Sequence, residues 1–407
     1  MLKDKHILLG ITGSIAAYKI AYLASALVKQ QAKVTVLMTK NATQFIGPIT
    51  FETLTGNKCL VDTFDRNFEF AVEHVAIARQ ADLMLVAPAS ANIIGKLAAG
   101  IADDMLTTTA LALRCPILIS PAMNTAMFEN PIVQDNLARL SSFGFRIIQP
   151  QTGYLACGDT GAGKMPEPAT LLSWIEHEIG HVKDLSGRKI LITAGPTREA
   201  IDPVRFISNH STGRMGYALA KVCATRGAEV SLVTGPVAID PPDFVKVIPV
   251  NSAAEMAEKV HAIAGEQDAF ICCAAVADMR PAAVAREKIK KESMNASISL
   301  ESTEDILSWL GEHRRKEQIL VGFAMETENL VENARGKLHR KRADLIVANS
   351  LRVEGAGFAG DTNVCTLVSE EEARSLPRMP KEDVAGEILD WVAERIRHFV
   401  DGTHEKS

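Results

Sequence analysis

Residues able to do chemistry fall into two groups along the 407-residue chain. In the first group, Cys157 stands among Gly153, Gly158, Gly161 and Gly163, a setting that suits a thiol on a closing flap better than one buried in a core. Read alone, His74 is a surface or capping residue, and Asn124, in Pro121-Ala-Met-Asn-Thr-Ala-Met127, is a strand-end turn former. Gly13 and Ser14 mark a strand-to-helix junction whose free amides and positive dipole end favour phosphate, although they do not form the G-x-G-x-x-G fingerprint. Thr39, Ser90 and Asn92 follow apolar runs, where such residues cap helices or meet a ligand. In the second group, Lys337 and Lys341 lie one helical turn apart on a single face, Lys288-Ile-Lys-Lys291 supplies compact positive charge, and Asp278 follows a buried run. Lysines converging with an acidic group at strand ends suit a nucleoside triphosphate and its Mg2+, because phosphate charge must be neutralised before a displacement can proceed. Ser211-Thr-Gly-Arg-Met-Gly216 leads directly into a helix and is a second candidate phosphate contact, while Asn209 has a turn former as its plain alternative.

These residues need elements to hold them. Short apolar runs at His6 to Thr12, Lys33 to Thr39, Leu83 to Ala87 and Pro116 to Ser120 alternate with stretches of helical periodicity at Ile15 to Gln30 and Asn92 to Gly100. Strand then helix, repeated, predicts a parallel sheet covered on both faces. Between residues 149 and 168, glycines and prolines predict a long functional loop without helix or strand. Asp184-Leu-Ser-Gly187 reads as a short polar linker, after which Lys189 to Ala194 opens a new first strand, followed by strands at Glu229 to Thr234, Ala269 to Ala275, Ile319 to Phe323 and Leu345 to Ala348. Ser252-Ala-Ala-Glu255 is a capping box that starts a helix between them. The expected fold is therefore α/β, two tandem doubly wound, mostly parallel Rossmann-like domains at 1–187 and 188–407, the first flavodoxin-like.

Composition narrows the function classes. A net charge of −5 argues against a general nucleic-acid binder. Seven scattered cysteines without C-x-x-C pairs argue against a structural zinc or disulfide framework and for a cytoplasmic protein. The first residues lack a signal peptide's apolar region, and no apolar run is long enough to span a membrane.

Taken with Gly13-Ser14 and His74, the stretches Ala87-Pro-Ala-Ser-Ala-Asn92 and Pro121 to Met127 and the loop around Cys157 resemble the phosphopantothenoylcysteine decarboxylase family over residues 5 to 180. The resemblance implies FMN held by Gly13, Ser14, Thr39, Ser90 and Asn92. It implies His74 as an acid/base group, Asn124 as a clamp on the substrate carboxylate, and Cys157 as the proton donor that yields a saturated thiol. Decarboxylation needs an electron sink, which oxidation of the thiol-bearing carbon by flavin provides. From residue 188 to about 400, Thr197-Arg-Glu, Ser208-Asn-His-Ser-Thr-Gly213, Ala274-Ala-Val-Ala-Asp278 and the lysine set resemble the phosphopantothenate–cysteine ligase family. This second resemblance implies CTP bound near Ala274, Asp278, Lys288, Asp305, Ile306, Phe323, Lys337 and Lys341, with Asp278 toward the metal. It implies activation of 4'-phosphopantothenate as an acyl cytidylate with loss of pyrophosphate, then attack by cysteine. Asn209 would hold the acyl intermediate and Lys288 would assist nucleotidyl transfer. Ser302-Thr-Glu-Asp-Ile306 departs from that family's Asn-Pro-Asp-Ile at its first two positions. The resemblance also implies a homo-oligomer, trimeric through the first domain and dimeric through the second, which permits a dodecamer.

Two rival readings differ in what they explain. A flavin and nicotinamide oxidoreductase accounts for both glycine loops but not for Cys157, Asn124 or the lysines. A non-catalytic flavoprotein regulator has no need of His74 or Cys157.

Overall fold

The computed structural model describes residues 1–63, 73–156, 158–290, 297–326, 328–350 and 360–404. The chain forms two compact units, Met1–Val182 and Lys183–Ser407.

The first unit runs β1 (His6–Ile11), α1 (Ala17–Lys29), β2 (Lys33–Met38), α2 (Pro48–Thr55), α3 (Glu73–Gln80), β3 (Leu83–Ala89), α4 (Ala91–Ala99) and α5 (Met105–Ala112). It continues through β4 (Ile117–Pro121), α6 (Thr125–Phe128), α7 (Pro131–Ser142), β5 (Arg146–Ile147), β6 (Gln151–Tyr154), β7 (Thr160–Lys164) and α8 (Pro168–Ile179). The five-stranded parallel sheet has the order β2-β1-β3-β4-β5, the flavodoxin order, whose direction reverses between β1 and β3. Strand periodicity divides the core. Ile7, Leu9 and Ile11 of β1 pack with Ile20, Leu23 and Leu27 of α1 and Leu171 and Ile175 of α8. Leu8 of β1, with Met84 and Val86 of β3, faces the other side, against Ile93, Ile94 and Leu97 of α4. Both faces are covered, so β1, β3 and β4 are buried throughout and read as continuous apolar runs.

The second unit runs β8 (Lys189–Ala194), β9 (Arg198–Ala200), β10 (Phe206–Ser208), α9 (Arg214–Thr225), β11 (Glu229–Thr234), β12 (Val245–Pro249), α10 (Ala253–Ala264), β13 (Ala269–Cys272), β14 (Met279–Pro281) and β15 (Leu300–Ser302). Then follow α11 (Ile306–His313), β16 (Ile319–Glu326), α12 (Leu330–Lys341), β17 (Leu345–Ser350), β18 (Thr362–Asn363), β19 (Cys365–Val368), β20 (Ala373–Ser375), β21 (Met379–Pro380) and α13 (Lys381–His404). Its eight-stranded sheet has the order β12-β11-β8-β13-β16-β17-β19-β20. The first six strands are parallel, in the dinucleotide-fold order 3-2-1-4-5-6, and β19 and β20 add an antiparallel edge. Ser252 caps α10 by accepting the Glu255 N–H at 3.2 Å, while Glu255 accepts the Asn251 N–H at 2.8 Å. Among the described residues no helix is long and apolar enough to cross a membrane.

Two expectations need correction. The segment 149–168 is not devoid of strand, because β6 and β7 form an antiparallel hairpin. Its glycines serve close packing. A Cβ on Gly161 would lie 2.3 Å from the Thr125 hydroxyl, and one on Gly163, at φ 120°, would lie 2.3 Å from the Met123 carbonyl oxygen. Nor is 184–187 a free linker. Leu185 is fully buried in the core of the second unit, and the Arg226 guanidinium donates to Asp184 at 2.9 Å through Nε.

Two candidate active sites

In the first unit the site grows from the point where the sheet reverses. Thr12, at the end of β1, is 1% exposed. Its hydroxyl donates to the Pro88 carbonyl at 2.7 Å and accepts the Ser90 N–H at 3.0 Å, which ties the end of β1 to the loop entering α4. On the other flank the Thr39 N–H donates to the Ile11 carbonyl at 3.0 Å, and the Thr39 hydroxyl accepts the Ala42 N–H at 3.3 Å. Gly13 lies so close to this second loop that a Cβ would meet the Asn41 Cβ at 2.8 Å. Ser14 accepts the Ala16 N–H at 3.3 Å, and Ser90 accepts the Ile93 N–H at 3.5 Å as the cap of α4. Asn92 is exposed on the first turn of α4.

A cavity of about 610 Å³ opens beside these loops, lined by Ser14, Met123, Asn124, Tyr154, Lys164 and Glu167, among others. Asn124 caps α6, its Oδ1 accepting the Met127 N–H at 2.8 Å, and the same residue lines the cavity. The hairpin β6–β7 closes one side through the Met123 N–H, which donates to the Gly163 carbonyl at 3.2 Å. Cys157 lies outside the described residues, between the closing bonds Leu155 N–H to Asp159 O (2.8 Å) and Gly158 N–H to Leu155 O (3.0 Å). His74 begins α3 half-buried, is not part of the cavity lining, and its ring makes no hydrogen bond to a described residue.

Sequence reasoning missed Thr12 and the charged edge of the cavity. There Lys19 pairs with Glu167 at 2.7 Å and Lys164 lies 3.7 Å from the same carboxylate. The hydrogen bond from Lys19, with the charges of both lysines, outweighs burial and holds Glu167 below the usual carboxylate range. Hydroxyls and amides, with no carboxylate among the described residues at the ends of β1, β2 and β3, make a donor set that fits the phosphate of FMN, and the cavity has the volume of a small-molecule site, about 300–1,000 Å³.

In the second unit, β8 and β13 continue side by side beyond the sheet. The Ala275 N–H donates to the Gly195 carbonyl at 2.9 Å, and the Thr197 N–H donates to the Ala275 carbonyl at 3.2 Å. Two buried threonines reinforce this extension: Thr193 accepts the Ala274 N–H at 3.2 Å, and Thr197 accepts the Ala277 N–H at 3.0 Å. The fixed strip 273–277 forms a wall with a cavity on either side, and Ala274 and Phe323 line both. One cavity, about 520 Å³, is lined by Asp278, Asp305, Ile306, Lys337, Arg340 and Lys341, among others. The other, about 150 Å³, is lined by Ser211, Gly213, Arg214, Asn349 and Lys381, among others.

The larger cavity is electrostatically organised. Asp305 caps α11 by accepting the Ser308 N–H at 2.9 Å, and its second oxygen pairs with Lys341, which also donates to the Ser308 hydroxyl at 3.0 Å. Burial pushes the Asp305 carboxyl up, but the hydrogen bond from Lys341, the Ser308 amide and the two lysine charges together hold it below its ordinary value. Lys337 donates to the Phe323 carbonyl at 2.7 Å. Burial, then the charge of Lys341, lowers its ammonium pKa, opposed by Asp305, Glu326 and Asp278. Three cations, Lys337, Arg340 and Lys341, and three carboxylates, Asp278, Glu304 and Asp305, line the cavity, and Lys341 is the cation paired with Asp305. Asp278 is exposed at its rim, and among the described residues no group of three or more His, Cys, Asp or Glu is arranged to hold a metal. Burial pushes the Cys272 and Cys273 thiols up to about 12, and both are half-buried residues of the wall.

Asn209 is brought to the same wall, its Nδ2 donating to the Ala275 carbonyl at 2.9 Å. Lys288 is not brought to Lys337 and Lys341. It lines a third cavity, about 660 Å³, with Arg205, Glu287 and Lys290, among others. At the departure noted in the sequence, Ser302 ends β15 while Thr303 and Glu304 line the larger cavity beside Asp305.

The chain was compared with known proteins. The family described as "Flavoprotein" matches residues 1–180, and "DNA/pantothenate metabolism flavoprotein C-terminal domain" matches residues 185–396. A coenzyme A biosynthesis bifunctional protein CoaBC from Bacillus subtilis (strain 168) is 47% identical over 97% of this chain and 98% of its own length. The protein of the same name from Vibrio parahaemolyticus serotype O3:K6 is 45% identical over 97% of this chain and 99% of its own. Two units, each with its own site, and near-full-length identity to these relatives give the same answer: the chain belongs to the CoaBC family of bifunctional coenzyme A biosynthesis proteins.

Proposed function

We propose that the chain performs two consecutive steps of coenzyme A biosynthesis. The second unit is a phosphopantothenate–cysteine ligase and the first a phosphopantothenoylcysteine decarboxylase, with Met1–Val182 and Lys183–Ser407 as the working domains. The observation that carries this reading is the pairing, in one chain, of a donor-lined cavity on a flavodoxin-order sheet with a lysine-lined cavity on a dinucleotide-order sheet.

In the ligase, CTP occupies the larger cavity. Lys337 and Lys341 neutralise its phosphates, Asp305 and Ile306 set the start of α11 against it, and the backbone at Ala274 and the ring of Phe323 close the wall. Asp278 is the carboxylate that would hold Mg2+, which would neutralise charge on the triphosphate and keep mostly water and phosphate ligands. The carboxylate of 4'-phosphopantothenate attacks the α-phosphorus, pyrophosphate leaves, and the cysteine amine displaces CMP from the acyl cytidylate. Lys288 assists the first transfer. Asn209, anchored to Ala275 at the wall between the cavities, holds the acyl intermediate for the second.

In the decarboxylase, Gly13, Ser14, Thr39, Ser90 and Asn92 bind FMN. When bound, the flavin accepts electrons from the thiol-bearing carbon and so supplies the sink for CO₂ loss. Asn124 fixes the substrate carboxylate at the cavity mouth. His74 moves a proton near the reacting thiol, and Cys157 returns one to carbon while the two electrons taken up by the bound flavin would be given back to the enethiol, so that the product is saturated 4'-phosphopantetheine. Exposed Ile15 before α1, Tyr18 and Tyr22 on α1 and Ile49 on α2 support a homo-oligomer built through this unit, up to a dodecamer. No nucleic acid or membrane takes part, and the reaction belongs in the cytoplasm.

The test is turnover by the purified full-length chain. It should be yellow, release pyrophosphate from CTP when 4'-phosphopantothenate is present, sustain that release only when cysteine is added, and then evolve CO₂ without consuming NADPH. Absence of pyrophosphate release with every nucleotide would sink the ligase assignment, and NADPH consumption would favour an oxidoreductase.

A further inference from the structure

The third cavity poses a question that the mechanism leaves open, namely how Lys288 is held. The Lys288 side chain is exposed in a segment, 282–290, whose residues are mostly exposed and which contains no strand or helix. Such a segment has no secondary structure to fix the direction of its lysine. One carboxylate reaches it from 87 residues away. Asp202 is 2% exposed. Its Oδ1 accepts the N–H groups of Val204 and Arg205, both at 2.8 Å, which closes a tight turn. Its Oδ2 crosses to accept the N–H of Ile289 at 3.2 Å, the amide immediately after Lys288.

Arg205 completes the brace. Its guanidinium lies 3.5 Å from Asp202 and donates to the Ile289 carbonyl at 3.4 Å, so both backbone polar groups of Ile289 are held. The Ala285 N–H donates to the Ile201 carbonyl at 3.0 Å and fixes the segment at a second point. A buried carboxylate with acceptor capacity divided between its own turn and a distant loop does more than close the turn, which Oδ1 alone would close. Burial disfavours its charge, and three amides with Arg205 more than restore it, so the carboxyl stays below its ordinary range and ionised at neutral pH.

We propose that Asp202 is a positioning residue for nucleotidyl transfer: through Ile289 it fixes the backbone that presents Lys288. This inference rests on the role of Lys288 proposed above. Asp202→Asn is the diagnostic change. Its remaining oxygen can keep the Val204 and Arg205 bonds, but its NH₂ group then faces the Ile289 N–H, donor against donor, and releases the loop.

The experiment measures pyrophosphate release from CTP, with saturating 4'-phosphopantothenate and cysteine, for the full chain carrying Asp202→Asn, Lys288→Gln or both. Decarboxylation by the first unit and thermal unfolding are followed in parallel. Misplacement of a reacting group by about an ångström costs on the order of 10²-fold, so Asp202→Asn should lower kcat by about that factor and leave the KM for CTP within about threefold, with decarboxylation unchanged. The double variant should be no slower than Lys288→Gln, because both changes remove the same presentation of one lysine. Losses that multiply in the double variant would show that Asp202 acts other than through Lys288. A slow Lys288→Gln beside a normal Asp202→Asn overturns the inference alone. Normal release by Lys288→Gln overturns the role of Lys288 and this inference with it. Should Asp202→Asn unfold, Ile289→Pro removes the same bond from the loop side: slow release supports the brace, and normal release overturns it.

Discussion

At the scale of single residues, the two chemistries make separable demands. A cysteine that only protonates carbon at the end of the decarboxylase cycle is dispensable for CO₂ release. Cys157→Ser should therefore still evolve CO₂ while an enethiol accumulates, followed by its ultraviolet absorbance, and a saturated thiol product from the variant would refute the role. Asp305 makes a pH-dependent contribution of known sign. Its folded pKa is held below the ordinary value, so its stabilisation is complete above the unfolded aspartate pKa of about 3.9 and is lost as pH falls through the depressed folded value. The difference in unfolding midpoint between the protein and Asp305→Asn should shrink on acidification below about pH 3.9, and a difference constant with pH would count against it. Lys337 and Lys341 were legible in the sequence because helical neighbours are local. Thr12, Thr193 and Thr197 were not, because the amides they hold, those of Ser90, Ala274 and Ala277, come from segments that follow other strands, 78 to 81 residues away.

At the scale of elements, small distances decide what the sequence leaves ambiguous. Glycines between 153 and 163 suggest flexibility, yet Gly161 and Gly163 are where the β6–β7 hairpin presses on the turn that carries Asn124. Gly163→Ala puts a Cβ against the Met123 carbonyl at a left-handed φ, a strain of about 1–3 kcal/mol. Decarboxylation should fall while pyrophosphate release is unchanged; equal loss of both would contradict it. The paired extension of β8 and β13 is the counterpart in the second unit. Thr197→Val strands the buried Ala277 N–H at about 1–3 kcal/mol. It should lower the melting temperature of the second unit and raise the KM for CTP, and unchanged values of both would remove Thr197 from the wall.

At the scale of the whole molecule, each unit has its own sheet and its own core. Cys157→Ser should leave pyrophosphate release untouched, and Lys341→Met should leave decarboxylation of added phosphopantothenoylcysteine untouched, each measured on the full chain; cross-inhibition in either direction would argue for coupling. Light scattering of the purified chain should give a mass several times that of one copy. A single-copy mass would remove the assembly inferred from Ile15, Tyr18, Tyr22 and Ile49.

The sequence by itself determined what is local or periodic: the apolar runs that become β1, β3 and β8, the Ser252 cap of α10, the facing lysines on α12, and the family motifs around Asn124 and Asn209. Tertiary structure alone decided the rest. It set the two strand orders, the strand character of 151–154 and 160–164, the burial of Leu185, the wall between two ligase cavities, and the removal of Lys288 to a third one braced by Asp202. The physical reason is the same in each case. Periodicity and capping act within one or two turns of chain, whereas a hydrogen bond from Asp202 to Ile289, or a glycine pressed on a carbonyl, depends on which distant segments the sheet order brings together.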